Sequence, residues 1–258
     1  MHIVILGGGG LIGGKLTPAL RALGHTIVTA SPRTGVNSVT GEGLDAALVG
    51  AEVVVDVTNS PSFADDAVLA FFTASTGNLL KAERAAGVRH HVALTIVGAE
   101  RLPGSGYMRA KIAQEELIRA GGVPYTIVRA TQFYEFLEAI AASGAEGDTL
   151  RLSSALLQPI AADDVVKALV DAIVDPPASE SQSVGPAGKG TWEVAGPEPR
   201  PLATYAGLAL AAKGDTRRIT ADPQAAYFGE VINDRSLTAA ADARIGAIRF
   251  EEWQAGRA

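Results

Sequence analysis

Hydrophobic residues in the first half of the chain follow two alternating patterns. Short, almost uninterrupted apolar runs of strand length are followed by stretches in which apolar residues recur at helical spacing. Uninterrupted apolar runs are typical of parallel strands that are buried on both faces. Strands that alternate with helices predict an α/β fold of Rossmann type, a doubly wound parallel sheet. The predicted strands cover residues 1–6, 26–30, 52–58, 91–97 and 125–129, and the predicted helices cover residues 11–23, 44–48, 63–86 and 107–120.

The pattern is less regular after residue 130. Residues 175–189 are rich in Pro, Ser and Gly and predict a long exposed loop, and residues 36–39 fit a short edge strand. We therefore predict a dinucleotide-binding domain over residues 1–135 and a smaller C-terminal lobe over residues 136–258 that does not fold independently. The elements predicted for the lobe are helices at 133–142, 165–174 and 202–212, strands at 150–152 and 191–194, and a helix cap at Asp163 and Asp164.

A cluster of glycines separates the first predicted strand from the first predicted helix. Gly8, Gly10 and Gly13 fit the spacing G-x-G-x-x-G, and Gly7, Gly10 and Gly13 fit G-x-x-G-x-x-G equally well. Either spacing lets the backbone approach a pyrophosphate, which then meets the N–H groups at the start of the helix. A flexible turn is the alternative, but the strand before the glycines and the helix and strand after them favour dinucleotide binding. The predicted contacts at this turn are Gly7, Gly10, Leu11, Ile12 and Gly13.

The ends of the second and third main strands carry further candidate cofactor contacts. No acidic residue that could bind the ribose hydroxyls of NAD lies between residues 29 and 40. Arg33 can instead pair with a 2′-phosphate, and Ser31 can donate a hydrogen bond to it. These residues predict a preference for NADP, with NAD as the alternative, unless Arg33 is an ordinary solvated arginine. Thr58 and Asn59 follow the third main strand, where ligands lie in parallel sheets, and are also predicted to contact the cofactor.

Composition excludes several other functions. The 258 residues are 47% hydrophobic, which predicts a globular protein, and the net charge of −6 argues against nucleic-acid and anionic-membrane surfaces. There is no cysteine, and the four histidines lack metal-ligand spacing, so no metal site is expected. No apolar run is long enough to cross a bilayer, and the N-terminus has no signal-peptide pattern. We expect a cytoplasmic protein.

Three residues further along form a candidate catalytic set. Tyr107 and Lys111 stand four residues apart near the start of a predicted helix, which places both side chains on one helical face. A tyrosine hydroxyl can protonate a carbonyl oxygen as hydride arrives, and an ammonium nearby can lower the pKa of that tyrosine and bind the nicotinamide ribose. Thr95, in the preceding strand, is the candidate for orienting the carbonyl. The alternative is a packed tyrosine with a solvated lysine.

These motifs together resemble the short-chain dehydrogenase/reductase superfamily, in its extended or atypical branch. The helix segment at residues 76–80 is part of this resemblance. Segments at residues 129–136 and 158–165 resemble the NmrA-like, NAD(P)-binding atypical members, and the resemblance spans most of residues 1–200. It implies a Rossmann domain with a small substrate lobe, and it places Thr95, Tyr107 and Lys111 where the family has its Ser/Thr, Tyr and Lys. It also favours the Gly7, Gly10 and Gly13 spacing. The chain departs from the family pattern in two ways. Thr95 stands where the family more often has serine, and no acidic residue that could contact adenine is clear in the sequence.

A substrate pocket is predicted after the last strand of the first half. Gln132, Phe133 and Phe136 follow that strand and are expected to line the pocket above the nicotinamide. Core packing of an aromatic helix accounts for the same pattern, so both interpretations stay open.

The sequence predicts an NADP(H)-dependent oxidoreductase that reduces a carbonyl, quinone or similar small organic molecule. An NmrA-like redox sensor that regulates a protein partner without turnover is a second hypothesis. An epimerase or dehydratase with tightly bound cofactor is a third. The expected partner is a small-molecule substrate, with no nucleic acid and no membrane, and the chain is expected to be a monomer or homodimer.

Overall fold

The structure, a computed structural model, describes residues 1–175 and 190–256. Two compact units make up the described chain, and both are discontinuous in sequence. Unit 1 contains Met1–Thr95, Gly106–Arg129 and Val166–Trp192, and unit 2 contains Ile96–Ser105, Ala130–Val165 and Glu193–Ala258, within the described residues. The domain boundary predicted after residue 135 stays a prediction.

Most of the regular alternation of strands and helices lies in unit 1. Its strands are β1 (His2–Leu6), β2 (Thr26–Ala30), β3 (Val53–Asp56), β4 (His90–Ile96) and β5 (Tyr125–Ala130), of which β4 and β5 each end one residue inside unit 2. Its helices are α1 (Leu11–Ala22), α2 (Leu44–Ala47), α3 (Asp65–Ala86) and α4 (Gly106–Ala120). Each element predicted from the apolar pattern of the first half is confirmed, with ends shifted by a few residues, except at residues 36–39.

Unit 2 is built from shorter elements. They are α5 (Leu137–Ala142), β6 (Ala145–Glu146), β7 (Thr149–Leu152), β8 (Leu156–Leu157), β10 (Arg200–Pro201), α7 (Leu202–Ala211), β11 (Arg218–Ala221), β12 (Ala226–Tyr227), β13 (Glu230–Val231), β14 (Arg244–Ile245) and α8 (Phe250–Ala255). Helix α6 (Ala162–Val174) and strand β9 (Thr191–Ala195) each have residues in both units.

The main sheet has seven strands in the order β14-β9-β5-β4-β3-β1-β2. Strand β1 pairs in parallel with both β2 and β3, so the chain reverses its direction across the sheet at this point. In parallel sheets, ligands bind outside the carboxyl ends of the strands at such a reversal. The predicted α/β fold of Rossmann type is therefore confirmed, and the end of β1 is the place where a cofactor site is expected.

The apolar runs form the core of unit 1 because both faces of its inner strands are covered. Val4, Val54 and Ala93 from β1, β3 and β4 are fully buried in one cluster, together with Leu79 of α3 and Ile118 of α4. At about 25 cal/mol per Å² of buried apolar surface, this burial is the main favourable contribution to folding. It also fixes the carboxyl ends of the strands from which the candidate site projects.

The segment at residues 36–39 does not form the predicted edge strand. It has one isolated bridge, from Asn37 to Glu42, and the Asn37 side chain accepts hydrogen bonds from the backbone N–H groups of Val39 and Thr40. An asparagine that binds the backbone two residues ahead forms a turn instead of a ladder. The strand at residues 125–130 is consequently the fifth, and the helix of Tyr107 follows the fourth.

The C-terminal predictions differ from the structure in smaller ways. The predicted helix at 133–142 is split into a 3₁₀ turn at Tyr134–Phe136 and helix α5. Asp163 and Asp164 lie inside the first turn of α6, where their negative charges suit the positive end of the helix dipole, and do not precede the helix as predicted. Residues 176–189, most of the predicted long loop, lie outside the described residues.

Candidate functional site

Backbone contacts in the glycine turn after β1 leave no room for a side chain at Gly7 or at Gly13. Gly7 has a φ of +81°, and a Cβ there would lie 2.8 Å from the backbone oxygen of Val57. A Cβ on Gly13 would lie 2.4 Å from the backbone oxygen of Gly7 and 2.5 Å from the Cα of Gly8. Helix α1 therefore packs directly on the turn. A Cβ on Gly8 would lie 2.7 Å from the side chain of Thr29. Each of the two glycine spacings in the sequence therefore includes glycines at a close approach.

The start of α1 is suited to an anion. Its N-cap, Gly10, has no side-chain cap, and the first turn contains no acidic residue, so the first N–H groups of the helix carry an uncompensated positive dipole end. Leu11 and Gly10 are exposed, whereas Ile12 is buried against the sheet. The turn can therefore hold the pyrophosphate of a dinucleotide through backbone groups at residues 10–12.

The end of β2 presents one unpaired cation. Ser31 and Arg33 lie at a 3₁₀ turn, Pro32–Thr34, in which the Ser31 backbone N–H donates to the Thr34 hydroxyl at 2.9 Å. The Arg33 side chain is exposed and has no hydrogen-bond or ion-pair partner among the residues that the structure describes. An unpaired guanidinium beside a half-buried serine is compatible with a phosphate ligand.

The end of β3 is organised by a buried carboxylate. Asp56 accepts hydrogen bonds at Oδ1 from the Thr58 backbone N–H at 2.9 Å and from the Thr58 hydroxyl at 2.6 Å. Asn59 is exposed, and its side-chain oxygen accepts a hydrogen bond from the Ser60 backbone N–H at 3.0 Å. Thr58 and Asn59 lie in the loop after β3, where Asp56 holds Thr58, and their contact with a cofactor stays a prediction.

Tyr107 lies in the first turn of α4 and packs between two phenylalanines. Its ring centroid is 5.6 Å from that of Phe63 and 6.3 Å from that of Phe72. The hydroxyl has no hydrogen-bond partner within the described ranges. Burial raises the pKa of Tyr107 to about 12, which is the opposite direction from the lowering that the spacing to Lys111 predicts. The prediction is wrong because the phenol is surrounded by apolar rings and the ammonium is directed elsewhere.

Lys111 is buried beneath the same helix face. Its ammonium donates hydrogen bonds to the backbone oxygen of Leu94 at 3.1 Å and to Oε1 of Gln114 at 2.5 Å. It also lies 4.3 Å from the centroid of the Phe72 ring. Burial lowers the pKa of Lys111 to about 8, although the carboxylates of Asp56 and Glu115 oppose that change. Lys111 is thus a buried, tightly held lysine, in contrast to the solvated lysine of the alternative interpretation.

Thr95 is engaged in a separate buried network. Its hydroxyl donates to Oε1 of Glu115 at 2.7 Å, and Glu115 also binds Arg129 at 2.7 Å and Arg119 at 2.6 Å. A hydroxyl has one proton to donate, so Thr95 could orient a substrate carbonyl only by releasing Glu115. Its predicted role stays a prediction.

Several residues of the site were missed in the sequence. Asp56 was detectable as a carboxylate that follows three valines in an apolar strand run, and Gln114 and Glu115 as polar residues on the buried face of α4, three and four positions after Lys111. Phe63 and Phe72 carried no signal, because aromatic residues in a helical pattern predict core packing.

The predicted pocket residues Gln132, Phe133 and Phe136 belong to unit 2. Phe133 and Phe136 are stacked with their centroids 5.6 Å apart. Gln132 is 6% exposed, and neither polar atom of its side chain has a hydrogen-bond partner among the described residues. Unpaired buried amides are costly, so this observation is compatible with a ligand contact. The pocket assignment stays a prediction.

The fold and the glycine turn define the chain as a dinucleotide-binding protein of Rossmann type. A family model described as NAD(P)H-binding matches residues 7–176. The chain belongs to this NAD(P)H-binding family, and its fold is the one that the resemblance to the short-chain dehydrogenase/reductase superfamily implies. Its cofactor is therefore a nicotinamide dinucleotide.

The chain is similar in sequence to a curated reductase. This relative is a (4-alkanoyl-5-oxo-2,5-dihydrofuran-3-yl)methyl phosphate reductase from Streptomyces griseus, 32% identical over 144 residues, which cover 51% of this chain and 48% of that protein. The chain thus matches about half the length of this relative.

Solved structures share the fold at low sequence identity. A short-chain dehydrogenase/reductase superfamily protein from Agrobacterium tumefaciens with bound NAD has a TM-score of 0.71 at 19% identity, over 99% of this chain and 95% of that one. A dTDP-4-dehydrorhamnose reductase from Bacillus anthracis in complex with NADP has a TM-score of 0.67 at 14% identity, over 90% and 89%. One of these neighbours holds NAD and the other NADP, and both share the fold of this chain.

Residues 1–175 and 190–256 contain no group of three or more His, Asp or Glu side chains that could hold a metal ion. None of the helices there is both long enough and apolar enough to cross a membrane.

Proposed function

We propose that the protein is an NADP(H)-dependent oxidoreductase that reduces a carbonyl, quinone or similar small organic substrate by hydride transfer. The observation that carries the proposal is the Tyr107 phenol, which lies four residues before a buried lysine and has a hydroxyl without a partner among the described residues. A free phenolic hydroxyl of this kind can donate its proton to a substrate oxygen.

In this reaction, residues of the chain would bind the cofactor, orient the substrate and supply the proton. The bound cofactor supplies the hydride. Tyr107, whose pKa is raised by burial to about 12, donates the proton. Lys111 binds the nicotinamide ribose, and Gly7, Gly10 and Gly13 receive the pyrophosphate. Thr95 orients the substrate oxygen, which requires its hydroxyl to exchange Glu115 for that oxygen.

The curated relative supports a reductase. Its name describes a small ring that carries alkanoyl and oxo groups. A carbonyl-bearing molecule of that kind falls within the proposed substrate class. The match covers 48% of the relative, so its specific substrate is not transferred to this chain.

The test is NADPH oxidation by the purified protein with a panel of aldehydes, ketones and quinones, followed by absorbance. We expect turnover with at least one class, and the same reaction with NADH at lower kcat/KM. Binding of NADPH without turnover on any member of the panel would contradict the proposed enzyme.

The proposed preference for NADP rests on Arg33. We expect Arg33→Ala to weaken NADPH binding about 10- to 100-fold, because hydrogen bonds to charged groups are worth about 1.5–3 kcal/mol, and to leave NADH binding unchanged. Fluorescence titration with both cofactors measures this. Arg89→Ala is the matched control. Arg89 is an exposed arginine of the same unit, lies directly before β4 and pairs with Glu52. Equal weakening of NADPH and NADH would contradict the assignment.

A dinucleotide sensor is the second candidate, favoured by the engagement of Thr95. In the structure its hydroxyl is bound to Glu115. A protein that only binds cofactor has no need for that hydroxyl to move. Thr95→Val separates the two: a sensor would keep its NADPH affinity and has no turnover to lose, whereas the proposed enzyme would keep affinity and lose most of its kcat.

A further inference from the structure

The ammonium of Lys111 is surrounded by groups of the protein itself. Besides the backbone oxygen of Leu94 and the face of the Phe72 ring, its strongest contact is the side-chain oxygen of Gln114, at 2.5 Å. Lys111 is 3% exposed and Gln114 is fully buried. The position of the ammonium is therefore set by internal contacts, and Gln114 supplies the one side-chain hydrogen bond among them.

Gln114 is itself held from its other end. Its Nε2 donates to Oδ2 of Asp56 at 3.1 Å, and the second oxygen of Asp56 is taken by Thr58. A carboxylate only accepts hydrogen bonds and an ammonium only donates them. An amide between the two must therefore present its NH₂ to Asp56 and its oxygen to Lys111, because the flipped amide would oppose like charges at both ends. Asp56 thus fixes the direction in which Gln114 points its oxygen.

We propose that Gln114 is a positioning residue for Lys111, which holds the ammonium through an amide whose direction is set by Asp56. This inference rests on the proposed function in so far as Lys111 serves the cofactor there, but the geometry of the three residues stands without it. Neither Gln114 nor Asp56 carries the chemistry in this arrangement. Their effect on the reaction passes through the place and charge of Lys111.

Charged and titratable groups around Lys111 act on the pKa of its amine together with Gln114. Asp56 faces it from β3 and Glu115 from its own helix, and both favour the charged amine, whereas burial lowers the pKa of Lys111 to about 8. Glu115 is already engaged by two arginines. Tyr107 lies one turn before Lys111 on α4. On β4, His91 is paired with Glu83, and the charge of Asp56 favours the protonated form of His91.

The sign of the pH effect follows from these contacts. The Gln114 oxygen stabilises the protonated amine, so its removal lowers the pKa of Lys111 and the amine loses its proton at lower pH. Gln114→Met keeps the length of the side chain and removes both hydrogen bonds. We expect the Lys111 titration to move down by about one pH unit or more. Asp56→Asn, which removes the charge and keeps an acceptor oxygen, is expected to move it in the same direction.

The experiment follows the lysine side-chain carbons of the folded, full-length protein by NMR across pH 6 to 11, with the Lys111 signal assigned by its loss in Lys111→Met. Neither cofactor nor turnover is needed. Glu83→Gln is the control, because it disrupts another buried pair of unit 1 that does not touch Lys111. We expect no movement of the Lys111 titration in this control.

An unchanged Lys111 titration in Gln114→Met would overturn the inference, as would an equal change in Glu83→Gln. If Gln114→Met does not fold, Asp56→Asn decides alone, and an unchanged titration there overturns the inference too. If the wild-type protein has reductase activity, the alkaline limb of its pH profile of kcat/KM should shift in Gln114→Met by as much as the Lys111 titration shifts. If the wild-type protein has no activity, the proposed enzyme is contradicted, and the NMR titration alone tests the role of Gln114.

Discussion

Replacement of Tyr107 by phenylalanine should lower kcat/KM for NADPH-dependent reduction about 10²- to 10⁴-fold, the contribution usual for a positioned general acid. The ring would stay packed between Phe63 and Phe72, because both contacts involve the ring and the hydroxyl has no partner among the described residues. The affinity for NADPH should remain within about twofold of the wild type, since only the proton donor is removed. Steady-state kinetics and fluorescence titration measure the two quantities.

Tyr125→Phe is the matched control for this variant. Tyr125 is the first residue of β5, at the amino end of the strand, whereas ligands of parallel sheets lie at the carboxyl ends. Its loss of a hydroxyl should leave kcat/KM unchanged. Tyr107→Phe with retained turnover and intact cofactor binding would exclude Tyr107 as the proton donor, and the reductase would then need a different acid.

Replacement of Gly13 by alanine should weaken NADPH binding about 100-fold and lower the free energy of unfolding by about 1–3 kcal/mol, the usual cost of overpacking. The added Cβ would lie 2.4 Å from the backbone oxygen of Gly7 and 2.5 Å from the Cα of Gly8. Both are backbone atoms, so α1 has to move away from the turn and takes its N–H groups out of position. Fluorescence titration and denaturant unfolding test the two effects.

The neighbouring Gly14 provides the control within the same turn of helix. A Cβ on Gly14 has nothing within 4 Å, and alanine is the better helix former by about 1 kcal/mol. Gly14→Ala should therefore keep its NADPH affinity and gain stability. If both variants bind NADPH like the wild type, the close packing of α1 on the turn is not what shapes the cofactor site.

The elements that were predicted correctly share a local cause. The strand at 53–56 and the helix at 65–86 follow from apolar periodicity, and the end of that helix at Gly87 follows from the left-handed conformation of its C-cap, φ +71°. The edge strand at residues 36–39 failed because the Asn37 side chain binds its own backbone, a contact that hydrophobic patterning does not report.

The site residues divide in the same way. The spacing of Tyr107 and Lys111 on one helix is local and could be predicted, but the partners of their side chains could not. Lys111 binds Gln114, which in turn binds Asp56, 58 positions away, and Thr95 binds Glu115, 20 positions away. The expected lowering of the Tyr107 pKa failed because Phe63 and Phe72, on other elements, surround the ring.

The sequence by itself determined the class of fold and the glycine turn after β1, and it indicated candidate residues for a nicotinamide cofactor. These depend on apolar periodicity, on glycines at fixed spacing and on residue types, all of which are written along the chain. The tertiary structure alone decided which way the Thr95 hydroxyl, the Lys111 ammonium and the Gln114 amide point. Their directions depend on donors and acceptors that only folding brings within hydrogen-bond distance, and on burial that changes how tightly each group holds its proton.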